Sequence, residues 1–169
     1  CIIGTIGSGK DTAAEYISRK LSIPALQISQ PLKDFAKEHG IEPIRENLIK
    51  IGNMLTKEHE PLFVIKSLID KTSENSVIIT GIRMTEIIDY MRDNHNLILL
   101  AITASPEIRF KRCTARGKLG EAKTLPEFIE NERKENSTPN VQRLFECIKL
   151  ADYTISNDTD IKTFSKKID

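Results

Sequence analysis

Gly4-Thr5-Ile6-Gly7-Ser8-Gly9-Lys10-Asp11-Thr12 decides how this chain is read. The stretch follows the apolar run Cys1-Ile2-Ile3 and precedes a segment with small or apolar residues at Ala13, Ala14, Ile17 and Leu21. The first flank has the character of a buried strand end, and the second has helical spacing. A glycine-rich turn between a strand and a helix lets backbone N–H groups face phosphate oxygens. The start of the helix adds its partial positive charge, and a lysine supplies a point charge for the outer phosphates. Gly4, Gly7, Ser8, Gly9, Lys10, Asp11 and Thr12 are therefore the expected contacts of a nucleotide's phosphates.

Outward from this loop, apolar runs alternate with helical patterns. Ala25 to Ile28, Val77 to Ile79, Leu97 to Ile102 and Tyr153 to Ile155 read as strands. Ser29 is placed to cap a helix that starts near Pro31 and stops at Gly40. Helices are predicted over 44–56, from Pro61, and over 85–92, 125–135, 141–150 and 161–168. Ser105 and Pro106 form an N-cap and N1 pair for one more. Such alternation predicts one α/β domain over residues 1–169 with a mainly parallel sheet.

Composition narrows the function classes. The 169 residues carry a formal net charge of +1, with 39% hydrophobic and 29% charged residues. Nothing here resembles the basic field of a nucleic-acid binder, and no apolar run reaches the length of a membrane span. No signal peptide is visible, and the start inside an apolar run leads us to expect natural residues before Cys1. Cys1, Cys113 and Cys147 are far apart and lack metal-ligand spacing, so reduced thiols in a cytoplasmic protein are expected.

Two further features suit an anionic ligand. Arg109, Arg112 and Arg116 recur at steps of three and four and so share one helix face. Like charges stacked this way repel, so the pattern suits an anionic partner; the alternative is a solvated helix face with Glu107 as partner. The following stretch, Gly117 to Thr124, is loop-like, with two glycines and two lysines. It can act as a lid, with Arg133 and Lys134 on its far side. At the other feature, Val77-Ile78-Ile79-Thr80-Gly81-Ile82-Arg83, polar residues stand at the carboxyl end of a strand, where open α/β sheets bind ligands. Arg83 has the chemistry to grip a substrate phosphate.

Taken together, these motifs resemble P-loop kinases of the nucleoside monophosphate kinase type. Gly9-Lys10-Asp11-Thr12, Ser29-Gln30-Pro31-Leu32-Lys33, Arg45 to Gly52, and Gly81-Ile82-Arg83 with Glu86 resemble phage-type deoxynucleoside monophosphate kinases. Ala104 to Arg116 and Ala151-Asp152-Tyr153-Thr154-Ile155-Ser156-Asn157 resemble dephospho-CoA kinases. Adenylate-kinase-related proteins mix such features. Two positions depart from the pattern: Asp11 stands where Ser or Thr normally ligates Mg²⁺, and Thr80 stands where an acid is expected.

The resemblance implies a three-layer P-loop NTPase fold with a five-stranded parallel sheet, the P-loop on a central strand. Residues 29–72 would form a helical acceptor region and 117–136 the lid. It implies ATP and Mg²⁺ as cofactors, with Thr12 or Asp11 toward the metal. Lys10, Arg83, Arg112 and Arg116 would carry catalysis, Arg109 and Asn157 would join the loop in binding ATP, and Lys33, Asp34, Arg45 and Arg83 would hold the acceptor. The implied partner is a small phosphorylated acceptor, a nucleoside or deoxynucleoside monophosphate. Dephospho-CoA-type hydroxyl phosphorylation and a nucleotide-binding regulator with little catalysis stay open. A homodimer stays open too; no nucleic acid or membrane partner is expected.

Overall fold

The computed structural model describes residues 1–58, 62–117, 122–137 and 143–169. Five strands alternate with helices: β1 (Ile2–Gly4), α1 (Lys10–Leu21), β2 (Ala25–Gln27), α2 (Gln30–Glu38), α3 (Arg45–Glu58), α4 (Phe63–Asp70), β3 (Ile78–Thr80), α5 (Thr85–Asn94), β4 (Leu100–Thr103), α6 (Pro106–Arg116), α7 (Leu125–Ser137), α8 (Leu144–Lys149), β5 (Tyr153–Ser156) and α9 (Ile161–Ile168). The strands pair in parallel in the order β2-β3-β1-β4-β5. β1 is thus central, and the phosphate loop leaves from the middle of the sheet's carboxyl edge, as the resemblance implied.

Alternation along each strand builds the layers. Ile3, Ile79 and Ala101 face one side, where they pack with Ile65 of α4, Ile88 of α5 and Cys147 of α8. Their neighbours Ile2, Ile78 and Ile102 face the other, against Ala13 and Ala14 of α1 and Phe164 of α9. The small Ala13 and Ala14 let α1 lie close on the sheet, which seats the phosphate loop at its start. A third cluster, Ala36, Ile51 and Leu55 with Leu32, Phe35 and Phe63, joins α2, α3 and α4.

Some local expectations change. Ser29 already has helical torsions (φ −79°, ψ −4°), and its hydroxyl makes no capping bond among the described residues. Its carbonyl instead accepts the first helical bond, from Lys33 N at 3.0 Å. Ser105 is extended and also uses its backbone: its N–H donates to Asp158 Oδ1 at 2.7 Å. β4 begins at Leu100 rather than Leu97, and the Leu99 N–H just before it donates to the Asp152 carboxylate at 2.7 Å. Pro61, residues 118–121 of the expected lid, and 138–142 at the expected break and helix start all lie outside the described residues. No helix among the described residues is long and apolar enough to cross a membrane.

Candidate phosphate-binding site

The loop between β1 and α1 has the backbone its glycines predict. Gly7 and Gly9 have φ of +76° and +97°, in the left-handed region that side chains rarely adopt. Space forbids a side chain too. A Cβ on Gly7 would lie 2.7 Å from the carbonyl oxygen of Arg109, and one on Gly9 2.3 Å from Asn157 Nδ2. The loop is therefore pressed against the start of α6 and the turn after β5.

Three successive carbonyls of the loop are held by side chains. The Ile6 carbonyl accepts from Arg109 Nη1 at 3.3 Å, the Gly7 carbonyl from Arg112 Nη1 at 3.3 Å, and the Ser8 carbonyl from Asn157 Nδ2 at 2.7 Å. A trans peptide points its N–H opposite to its C=O. Fixing the Ile6 and Ser8 carbonyls on Arg109 and Asn157 thus turns the N–H groups of Gly7 and Gly9 away from those side chains. Outward N–H groups at a helix start are what a phosphate needs.

Beside the loop lies a cavity of about 360 Å³, within the range of small-ligand sites. Gly9 and Thr12 form one wall, Arg112, Ala115 and Arg116 of α6 another, and Asn157, Thr159 and Ile161 the third. Gly9 and Thr12 belong both to the loop stretch and to the cavity's lining. Ala115, Ile161 and the Asn157 amide give it a surface that suits the flat face of a nucleobase, and Arg112 and Arg116 add positive charge.

The structure thus brings together Lys10, Asp11, Thr12, Arg112, Arg116 and Asn157. Lys10 Nζ meets Asp11 Oδ2 at 3.0 Å, so Asp11 balances the lysine's charge. Asn157 is 5% exposed; both ends of its amide face protein, since Oδ1 accepts from Arg112 Nη2 at 3.4 Å. It supports the loop as well as bordering the cavity.

Arg109 corrects the expectation of a ligand-facing arginine. Only 4% exposed, it donates from Nε to the Ala104 carbonyl at 2.9 Å and forms a bidentate pair with Glu132 of α7 at 2.5 and 2.8 Å. The repulsion along the arginine face is therefore relieved at Arg109 by an acid, not by a ligand. Glu132 lies 23 residues away across the segment 117–124, and the charge pattern of α6 alone did not point to it.

The acceptor candidates lie by the ends of the neighbouring strands. Lys33 Nζ donates to Gln27 Oε1 at 2.8 Å, at the end of β2, and Asp34 accepts from Gln30 at 2.8 Å. Gln27 pairs in register with Thr80 of β3, and Arg83 follows three residues later. The Thr80 hydroxyl lies 3.5 Å from the Leu26 carbonyl. Arg45 opens α3, and its side chain lies outside the described residues. Glu86 pairs with Arg143, whose backbone N–H donates to the Arg83 carbonyl at 2.8 Å. Sequence reasoning missed Arg143; it sits in no recognisable motif.

The sequence profile of a family described as an AAA domain matches residues 1–137. A UPF0200 protein of Pyrococcus horikoshii is 30% identical over 176 residues, spanning 99% of this chain and 92% of its own. A UPF0200 protein of Hyperthermus butylicus is 29% identical over 166 residues, spanning 96% and 87%. Among solved structures, the shikimate kinase of Bacteroides thetaiotaomicron superposes with a TM-score of 0.61 at 16% identity, covering 99% of this chain and 91% of its own. That of Aquifex aeolicus gives 0.58 at 22% identity, covering 99% and 93%. The shared fold is that of the P-loop kinases.

Proposed function

The chain belongs to the AAA domain family and to the UPF0200 proteins, and from that premise we propose that it is an ATP-dependent phosphotransferase that acts on a nucleoside or deoxynucleoside monophosphate. The observation that carries this is that Gly9 and Thr12 of the phosphate loop line a 360 Å³ cavity together with Arg112, Arg116 and Asn157. One end suits phosphates and the other a base.

In this reading the backbone of Gly4 to Thr12 and Lys10 hold the triphosphate. Arg112 and Arg116 border the cavity from α6 and stabilise charge that spreads over the transferring group. Residues 117–136 act as the lid that excludes water, and 29–72 as the acceptor region. Lys33, Arg45 and Arg83 hold the acceptor phosphate, and Arg143 is positioned by its backbone bond to Arg83.

Asp11 and Thr12 offer a carboxylate and a hydroxyl at the start of α1, oxygen donors that suit Mg²⁺ carried in on phosphates. Mg²⁺ would supply charge neutralisation across those phosphates. With Thr80 in place of an acid, the protein's own share of the metal shell is small.

A monophosphate acceptor is favoured over a hydroxyl. Phosphorylating a hydroxyl calls for a base. Of the two nearby carboxylates, Asp11 pairs with Lys10 and in this reading faces Mg²⁺, and Asp34 shares its Oδ1 with Gln30. An acceptor that is already an ionised phosphate needs none, and positioning plus charge stabilisation then supply the rate. A cytoplasmic setting agrees with three cysteines that form no disulfide.

The test is acceptor-stimulated ADP release over a panel of nucleoside monophosphates, deoxynucleoside monophosphates and dephospho-CoA. Stimulation by a monophosphate, abolished by Lys10→Ala, supports the assignment. Retained ATP binding with no stimulated release would make the protein a nucleotide-binding regulator instead.

A further inference from the structure

Arg109 touches the phosphate loop with both backbone and side chain. Its carbonyl occupies the space a Gly7 side chain would need, and its guanidinium holds the Ile6 carbonyl. The same guanidinium is gripped by Glu132 on α7, beyond residues 118–121. Phe128 of α7 closes the other side, its ring centroid 5.4 Å from the guanidinium carbon. The two side chains of the pair are only 5% and 11% exposed.

We propose that Arg109 is a positioning residue of the phosphate loop, and that its pair with Glu132 couples helix α7 to the loop's shape. This rests on the nucleotide-site reading above. Arg109 holds the Ile6–Gly7 peptide with its N–H turned away from the guanidinium. Glu132 fixes the guanidinium at the distance and angle that this requires. Any displacement of α7 then reaches the loop through Arg109, by the bidentate pair with Glu132 and the Phe128 ring, and ordering of the loop by phosphate is felt in α7. The planar fork is essential, since a lysine at this position has the charge but not the two parallel donors.

The experiment measures binding of ATP and of inorganic tripolyphosphate to wild type, Arg109→Lys and Glu132→Gln, well below each protein's unfolding midpoint. Hydrogen exchange of residues 125–137 is followed with and without ATP. In both variants the Kd for both ligands should rise by roughly tenfold or more, as expected for a lost charged hydrogen-bond pair. ATP should slow exchange in α7 of wild type, and this effect should vanish in Arg109→Lys. Should Arg109→Lys not fold, Glu132→Asp carries the same test, because it keeps the charge and shortens the reach. A lower unfolding midpoint with unchanged Kd would reduce the pair to a purely structural contact and overturn the proposal, as would α7 exchange indifferent to ATP in wild type. Wild type that binds neither ATP nor tripolyphosphate would instead overturn the nucleotide-site reading itself.

Discussion

Asn157 Nδ2 donates to the Ser8 carbonyl at 2.7 Å across 149 residues of sequence, which ties the turn after the last strand to the loop after the first. The contact is buried, so breaking it leaves a desolvated acceptor. Asn157→Asp replaces the donor with a second acceptor that faces the carbonyl. The expected cost is about 1–3 kcal/mol of folding stability together with weaker ATP binding. Thermal unfolding and ATP titration of the variant check both. Unchanged values in both would mean that the loop keeps its shape without this amide.

The Arg109–Glu132 pair gives a prediction about stability that is separate from its proposed effect on binding. Glu132→Leu leaves a guanidinium buried without its counter-charge, which typically costs about 3–5 kcal/mol. The double replacement Arg109→Met with Glu132→Leu removes both charges and should recover most of that loss. ATP affinity should stay low in the double variant, because nothing then holds the Ile6 carbonyl. Urea unfolding and ATP titration across the cycle separate the two effects.

The elements legible in the sequence are those whose own residues decide them. α1 and α9 run over the residues their apolar spacing predicts, and β3 follows its β-branched run. The phosphate loop was legible because its conformation depends on glycines in the loop itself. What was hidden depends on residues far away in the chain. Helical spacing puts Arg109 on a face with Arg112 and Arg116, but only tertiary contact pairs it with Glu132. Asp152 takes the Leu99 N–H just before β4, and Asp158 fixes the entry of α6, both from far along the chain. Arg143 joins Arg83 through a main-chain bond, which no side-chain pattern encodes.

Burial raises the Cys147 thiol to about 12, with the Glu86 carboxylate adding to the effect. Its thiolate population near neutral pH is then negligible, and the thiolate is the reacting form. Cys113 is also buried. In the folded protein at pH 8, iodoacetamide should spare Cys147 until urea unfolds the chain. Mass spectrometry of the modified peptides reads this directly. Rapid native labelling of Cys147 would mean that α8 opens readily from the sheet.

Acid should loosen the protein through two aspartates. The Asp158 carboxyl is held below its ordinary value, first by the Ser105 N–H and then by the Ser156 hydroxyl. Asp152 is lowered in the same sense, first by the Leu99 N–H, against a smaller desolvation effect, and then by Arg92. A carboxyl whose folded value lies below its unfolded value, about 3.9 for Asp, stabilises the fold fully above that unfolded value. The contribution is lost as pH falls through the folded value. Urea midpoints should therefore change little on account of these groups between about pH 5 and 7, and decline below about pH 4. Asp158→Asn keeps an acceptor oxygen for Ser105 and removes the titration, so its midpoint should decline less steeply in acid than that of wild type. If the two curves run parallel down to pH 3, the acid sensitivity arises elsewhere, and the Asp158–Ser105 contact between the β5–α9 turn and α6 contributes through its hydrogen bond alone.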